Sequence, residues 1–179
     1  MASRILVSVG THEQPFQRLL DAMVEFVRSN HDVDVVVQYG VGKWPAHLDT
    51  VAVDYFSHDD MQLQLLKADI LITQASPGNV FGALSAGAWP LVLGRTKALR
   101  EHVDDHQIHF ANAVEELGLG TNVGSIEKLP SAITAVLRTD SNTLVERCQK
   151  AVSASDARTV HFRDQFWNQV ETMMAGGHG

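Results

Sequence analysis

The sequence predicts an α/β domain, a Rossmann-like parallel sheet with helices on both faces, and three observations carry that expectation. Short apolar runs recur at residues 5–9, 35–37 and 70–72, as in strands buried on both faces. Helical spacing of apolar residues fills the intervals between them. Two consecutive strand-to-helix junctions, at residues 74–79 and after Gly94, consist of small and polar residues. Both junctions fall at the C-terminal edge of the sheet, where open α/β sheets bind ligands.

Residues 5–9 form the first strand, and Gly10 ends it where the backbone must turn tightly or approach a ligand closely. A polar loop, Thr11-His12-Glu13-Gln14, follows. Phe16, Leu19, Leu20, Met23, Val24 and Val27 recur at helical spacing, which predicts an amphipathic helix over 16–29. Residues 34–39 form the second strand, closed by Gly40-Val41-Gly42. That segment is a plain turn or a ligand-touching loop; no third glycine follows at phosphate-loop spacing. Residues 51–56 alternate as a third, shorter strand. Ser57 to Asp60 then reads as a cap before a helix carrying Met61, Leu63, Leu65 and Leu66.

The stretch over 68–107 organises the chain. Its strand at 70–72 leads into Gln74-Ala75-Ser76-Pro77-Gly78-Asn79. A helix follows with Val80, Phe81, Leu84 and Ala88 on one face. Pro77 suits an early helical position, and Ser76 or Asn79 is placed to cap it. The free N–H groups of that first turn make an anion site. A strand over 90–93 ends at Gly94, and a helix over 104–117 closes at Gly118. A last short strand is expected over 120–123, and helices over 129–137, 144–152 and 159–174. Phe162, Phe166, Trp167, Val170 and Met173 of the last are expected to pack back on the sheet. Residues 1–175 thus make one domain, and the tail 176–179 is expected to be disordered.

Composition bounds the function. Of 179 residues, 45% are apolar and 20% charged, an ordinary globular balance. The net charge of −7 argues against a general nucleic-acid surface. An anionic nucleotide can still be held by backbone N–H groups and one or two basic side chains. Cys148 is the only cysteine, so no intramolecular disulfide forms and a reducing compartment is favoured. On a helical pattern, it is a core or half-buried residue. No apolar run approaches the ~18 residues of a membrane span, so a soluble, cytoplasmic protein is expected.

Three histidines, His102, His106 and His109, stand at spacings of four and three. Such spacing on one helical face can bind zinc. The Asp-rich helix start places His102 in the loop instead, HExxH is absent, and neither a metal site nor a cofactor is expected. Arg95, Lys97 and Arg100 form a solvated basic loop or one that closes over a diphosphate. His12 is a general base, a phosphate partner or an exposed loop residue. Asp104 and Asp105 suit helix capping, which can coexist with binding.

Residues 4–120 resemble, in order, the nucleotide-sugar-binding half of family 28 glycosyltransferases. The single-lobe subunits of split enzymes are the nearest in kind: bacterial exopolysaccharide transferases and the cytosolic subunit of the dolichol-linked N-acetylglucosaminyltransferase. Val7-Ser8-Val9-Gly10-Thr11 looks like the family's opening V-T-V-G-T. Thr73 to Asn79 stands at its S-H-x-G-x-G-[ST]-like turn, and Asp105-His106-Gln107 at its D-H-Q element. The resemblance implies one lobe of a GT-B glycosyltransferase and a UDP-sugar donor. It implies donor contacts at Gly10, Thr11, Phe56, Ser76, Gly78, Asn79, Asp105 and Gln107; His12 is the catalytic candidate from its own chemistry, while in the two-domain relatives much of the acceptor site lies in the other half. Phe56 lies near the nucleotide base in the family; otherwise it is an apolar residue at a strand end.

Two positions depart from the pattern: Gln74 replaces the usual His, and Gly82 replaces the acidic residue that binds the ribose. The losing side of that exchange is a charge-assisted hydrogen bond worth ~1.5–3 kcal/mol when buried. The implied function is the donor-binding subunit of an inverting transferase. It would act on a lipid-linked or polysaccharide acceptor, with a membrane-associated partner lobe completing the active site and recruiting it to the membrane. The alternative is a non-catalytic scaffold or regulatory lobe, and a different Rossmann-like nucleotide binder is a third.

Overall fold

The computed structural model describes residues 3–175, with side chains described through residue 159. Six strands form one parallel sheet in the order β3-β2-β1-β4-β5-β6. They are β1 (Arg4–Ser8), β2 (Asp34–Gln38), β3 (Val51–Val53), β4 (Ile70–Gln74), β5 (Trp89–Leu93) and β6 (Thr121–Asn122). Ile5 pairs with Val35 on one side and Ile70 on the other. β1 and β4 are therefore neighbours from which the chain winds outward in opposite directions. Such a switch point opens a crevice at the C-terminal strand ends.

Alternation along the central strands explains why helices cover both faces. Ile5, Val7, Ile70 and Ile72 turn to one face and pack with Phe16, Leu19, Leu20 and Met23 of the α1 region (helix Gln17–Ser29). Leu6, Val36 and Leu71 turn to the other and meet Leu65 of α2 (His58–Lys67) and Ala83 of α3 (Pro77–Ala86). The remaining helices are α4 (His106–Glu116), α5 (Leu129–Leu137) and α6 (Ser141–Ala175).

Several expectations are corrected. The two C-terminal helical segments are one continuous α6, because no glycine or proline interrupts residues 141–175. β3 is only three residues long. Of the apolar residues of α2 only Leu65 is buried, and Leu63 and Leu66 face outward. The predicted packing of Phe162 to Met173 and the tail 176–179 lie outside the described residues.

Cys148 of α6 is fully buried in the main core, and burial pushes its thiol up to about 11. A raised thiol pKa means no thiolate near neutrality. The native protein at pH 8 is expected to leave a disulfide reagent unreacted, and to release one equivalent of thiol only on denaturation. Rapid labelling of native protein would contradict the packing.

Candidate functional site

A cleft of about 550 Å³ opens at the switch point, over the C-terminal ends of β1 and β4. One wall is the loop after β1. Gly10 has φ +73°, and a Cβ there would stand 2.2 Å from Gln74 Nε2. The absent side chain thus lets the Gln74 amide lie against the loop. Gln74 Oε1 is 2.9 Å from Thr73 Oγ1, which accepts from Asn79 Nδ2 at 2.7 Å. The polar ends of β4 and the first turn of α3 are locked together this way. Ser76 occupies the N-cap position of α3 with no side-chain capping bond. Ser76 and Asn79 line the cleft, and no side chain caps this end of α3.

Gln38 builds the opposite wall. Its Nε2 donates to Ser8 Oγ at 3.2 Å, and its Oε1 accepts from Phe56 N at 3.0 Å, which fixes the Phe56 backbone at the cleft edge. Ser57 Oγ caps α2 by accepting from Asp60 N.

Arg95 lies at the base. It is the first residue after Gly94, at the end of β5, and it is 1% exposed. Its Nη2 donates to Val9 O at 2.8 Å, and the guanidinium lies 5.3 Å over the Phe16 ring. Nε and Nη1 are buried with no hydrogen-bond partner. Burial lowers its pKa and Glu101 opposes that shift, but a guanidinium stays charged. Two donors of a buried, cleft-lining cation thus lack a protein acceptor, where buried polar groups ordinarily have one. Gln107, also buried, accepts from Arg95 N at 3.2 Å.

The loop over 96–105 is tied down by Glu101, which takes a bidentate pair from Arg18 at 2.9 Å for each contact and also accepts from Thr96 N. His102 beyond it is buried, and its ring lies 4.4 Å from that of His12 and 4.6 Å from that of His106. Desolvation, and then the neighbouring His12 and His106, lower the His102 pKa. His12 Nδ1 accepts from Gln14 N at 3.1 Å, which leaves the proton of the neutral ring on Nε2.

Of the residues singled out in the sequence, Gly10, Thr11, His12, Phe56, Ser76, Asn79 and Gln107 line this cleft. Gly78 and Asp105 do not. Gly78 is exposed in the first turn of α3, and Asp105 accepts from Lys97 N at 2.8 Å, bracing the loop instead. Gly40-Val41-Gly42 stays outside the cleft. Lys97 and Arg100 are solvent-exposed, whereas Arg95 turns inward. Ser8, Gln38 and Gln74 also line it. Each is the last residue of its strand, following an apolar run in β1 and β2 and Thr73 in β4, a signal visible in the sequence. A separate groove of about 460 Å³ between α1 and Trp44 lies off the strand ends.

The sequence matches the glycosyltransferase family 28 C-terminal domain over residues 4–161. No curated protein matches it. The fold is similar to that of the glycotransferase of kitacinnamycin, with TM-score 0.68 and 18% identity over 94% of this chain and 43% of the other. It is similar to CalG4, the calicheamicin glycosyltransferase, with TM-score 0.61, 20% identity, and 94% and 44% covered. SnogD from Streptomyces nogalater gives TM-score 0.54, 18% identity, and 88% and 43% covered. The likeness is one of fold, and this chain spans less than half the length of each.

Proposed function

The chain belongs to the glycosyltransferase family 28 C-terminal domain family, and on that premise we propose that it is the donor-binding subunit of a split transferase. It holds a UDP-sugar for transfer of a hexosyl or N-acetylhexosaminyl group to a lipid-linked or polysaccharide acceptor. The observation that carries the proposal is the buried Arg95 with two free donors, at the base of a cleft beside the Gly10 loop and the start of α3. A diphosphate supplies what that constellation lacks. Its oxygens accept from Arg95, from the first-turn N–H groups behind Ser76, and from the Gly10-Thr11 backbone. Phe56 at the opposite edge offers an apolar face to the base.

Transfer forms a bond from the acceptor hydroxyl oxygen to the anomeric carbon while the bond to the diphosphate breaks, with its electron pair leaving on UDP. The donors around Arg95 stabilise that developing charge. His12 fits this side of the chemistry better than proton abstraction. With Nδ1 engaged by Gln14 N, its Nε2–H donates rather than accepts. On this reading the base and the acceptor site belong to a partner lobe. No helix among the described residues is long and apolar enough to cross a membrane; on this reading the partner brings the chain to a lipid-linked acceptor at the inner membrane face.

Calorimetric titration tests the donor site. UDP and UDP-N-acetylglucosamine are expected to bind the chain, and Gly82→Glu to tighten UDP binding by about 10- to 100-fold. A Cβ at Gly82 would meet only Leu65 Cδ1, at 3.6 Å, so the variant is tolerated. Gly82 also favours the second reading, a scaffold lobe with weakened grip. Binding by the variant alone would support that reading, and silence from both would overturn the donor site.

A further inference from the structure

We propose that His102, Asp104 and His106 form a three-ligand binding site for a divalent cation of the zinc class at the rim of the cleft. One nitrogen or oxygen from each residue lies within 4.8 Å of the others. The spacing noted in the sequence paired His102 and His106 with His109, but the bend before α4 brings in the Asp104 carboxylate instead. His109 lies further along α4, outside the cluster.

The convergence of three potential ligand atoms at one point carries the proposal. His102 Nδ1 accepts from Asp104 N at 3.4 Å, so its lone pair is in place. The same Nδ1 faces Asp104 Oδ1 at 3.4 Å. A cation bound at this nitrogen would take the lone pair in place of the long contact to the Asp104 N–H. Asp104 Oδ1 also contacts His106 Nδ1, so a single oxygen is shared between two ring nitrogens. Ligand atoms around a tetrahedral zinc stand about 3.3 Å apart, given bond lengths near ~2.0–2.1 Å; the His102–Asp104 separation of 3.4 Å is close to that, whereas His106 Nδ1 and Asp104 Oδ1 are hydrogen-bonded to each other and must separate for both to bind.

Two imidazoles and one carboxylate are a borderline donor set, suited to zinc rather than to calcium or magnesium. His106 N donates to Asp104 Oδ1 at 3.2 Å and helps hold the carboxylate in place. The His12 ring closes the flank of His102 toward the cleft. Three protein ligands leave a position for water or an anionic oxygen, as open zinc sites do. The proposal does not depend on the donor being a UDP-sugar.

Zinc alone, titrated against a chromogenic chelator into the full chain without any histidine tag, tests it. One equivalent is expected at micromolar or tighter affinity. Asp104 and His106 are exposed, so Asp104→Ala and His106→Ala leave the core intact, and each is expected to weaken binding at least tenfold. His109→Ala is expected to leave it unchanged. Cobalt in place of zinc should give visible absorption that His106→Ala abolishes. No zinc uptake at 1 mM, or equal losses in His109→Ala and His106→Ala, would overturn the site and leave an ordinary His–Asp ion pair.

Discussion

Arg95→Met is expected to lower UDP affinity by about 10- to 100-fold, the cost of losing charge-assisted donors in a buried site, while uridine binding stays within about twofold. The separation follows from where the guanidinium sits. Nε and Nη1 are free at the base of the cleft, whereas Nη2 is spent on Val9 O. The free donors have no acceptor within the protein; on the proposed reading a diphosphate in the cleft supplies one, and uridine without its phosphates does not. Methionine keeps the stem packed on Phe16 and removes a costly buried charge, so the fold is expected to persist. Arg95→Lys restores the charge as a point but not the planar fork, and should recover only part of the affinity. Equal losses for UDP and uridine would mean that Arg95 shapes the cleft rather than gripping phosphate. Unchanged UDP affinity would place the diphosphate elsewhere.

The sheet was legible because its central strands are short apolar runs, and their order in the fold follows from the switch between β1 and β4. The site was legible where polarity breaks those runs: Gly10 after β1, and Ser76 and Asn79 after β4. Arg95 was harder to place. In a string with Lys97 and Arg100 it looks like one of three solvated charges, and only the turn at Gly94, with Val9 and Phe16 far away in sequence, sends it inward. Gly94 itself admits that turn, since a Cβ there would meet Ile108 Cδ1 at 2.6 Å. Asp105 was assigned toward the ligand through the D-H-Q element, but the tertiary need to brace the loop through Lys97 N claims its carboxylate. The histidine spacing suggested a helical face. The chain bends before α4, so the grouping that forms is His102 and His106 with Asp104, which helical periodicity alone does not bring together.

Glu101→Ala is expected to cost about 3 kcal/mol of stability, the lower end for breaking a buried ion pair. For a domain of this size that is a fall in Tm of about 6–12 °C. Glu101 is 7% exposed in its side chain and Arg18 23%, so truncation leaves a mostly buried guanidinium whose strongest partner is gone. The lower end applies because Arg18 retains some solvent and a 3.3 Å contact to Gly94 O. Glu101 also accepts from Thr96 N, so the loop that carries Arg95 at one end and His102 at the other loses its anchor to α1. Asp105→Ala is the contrast: it removes one exposed loop bond and should cost only about 0.5–1.5 kcal/mol. Adding Arg18→Met to Glu101→Ala should recover part of the loss, because no unpaired charge then remains buried. Thermal unfolding of the three variants beside the wild type decides the matter. If Glu101→Ala and Asp105→Ala fall by the same small amount, the Arg18–Glu101 pair does not hold the loop. If the double variant is no better than Glu101→Ala, the cost lies in the lost Thr96 bond and not in the orphaned cation.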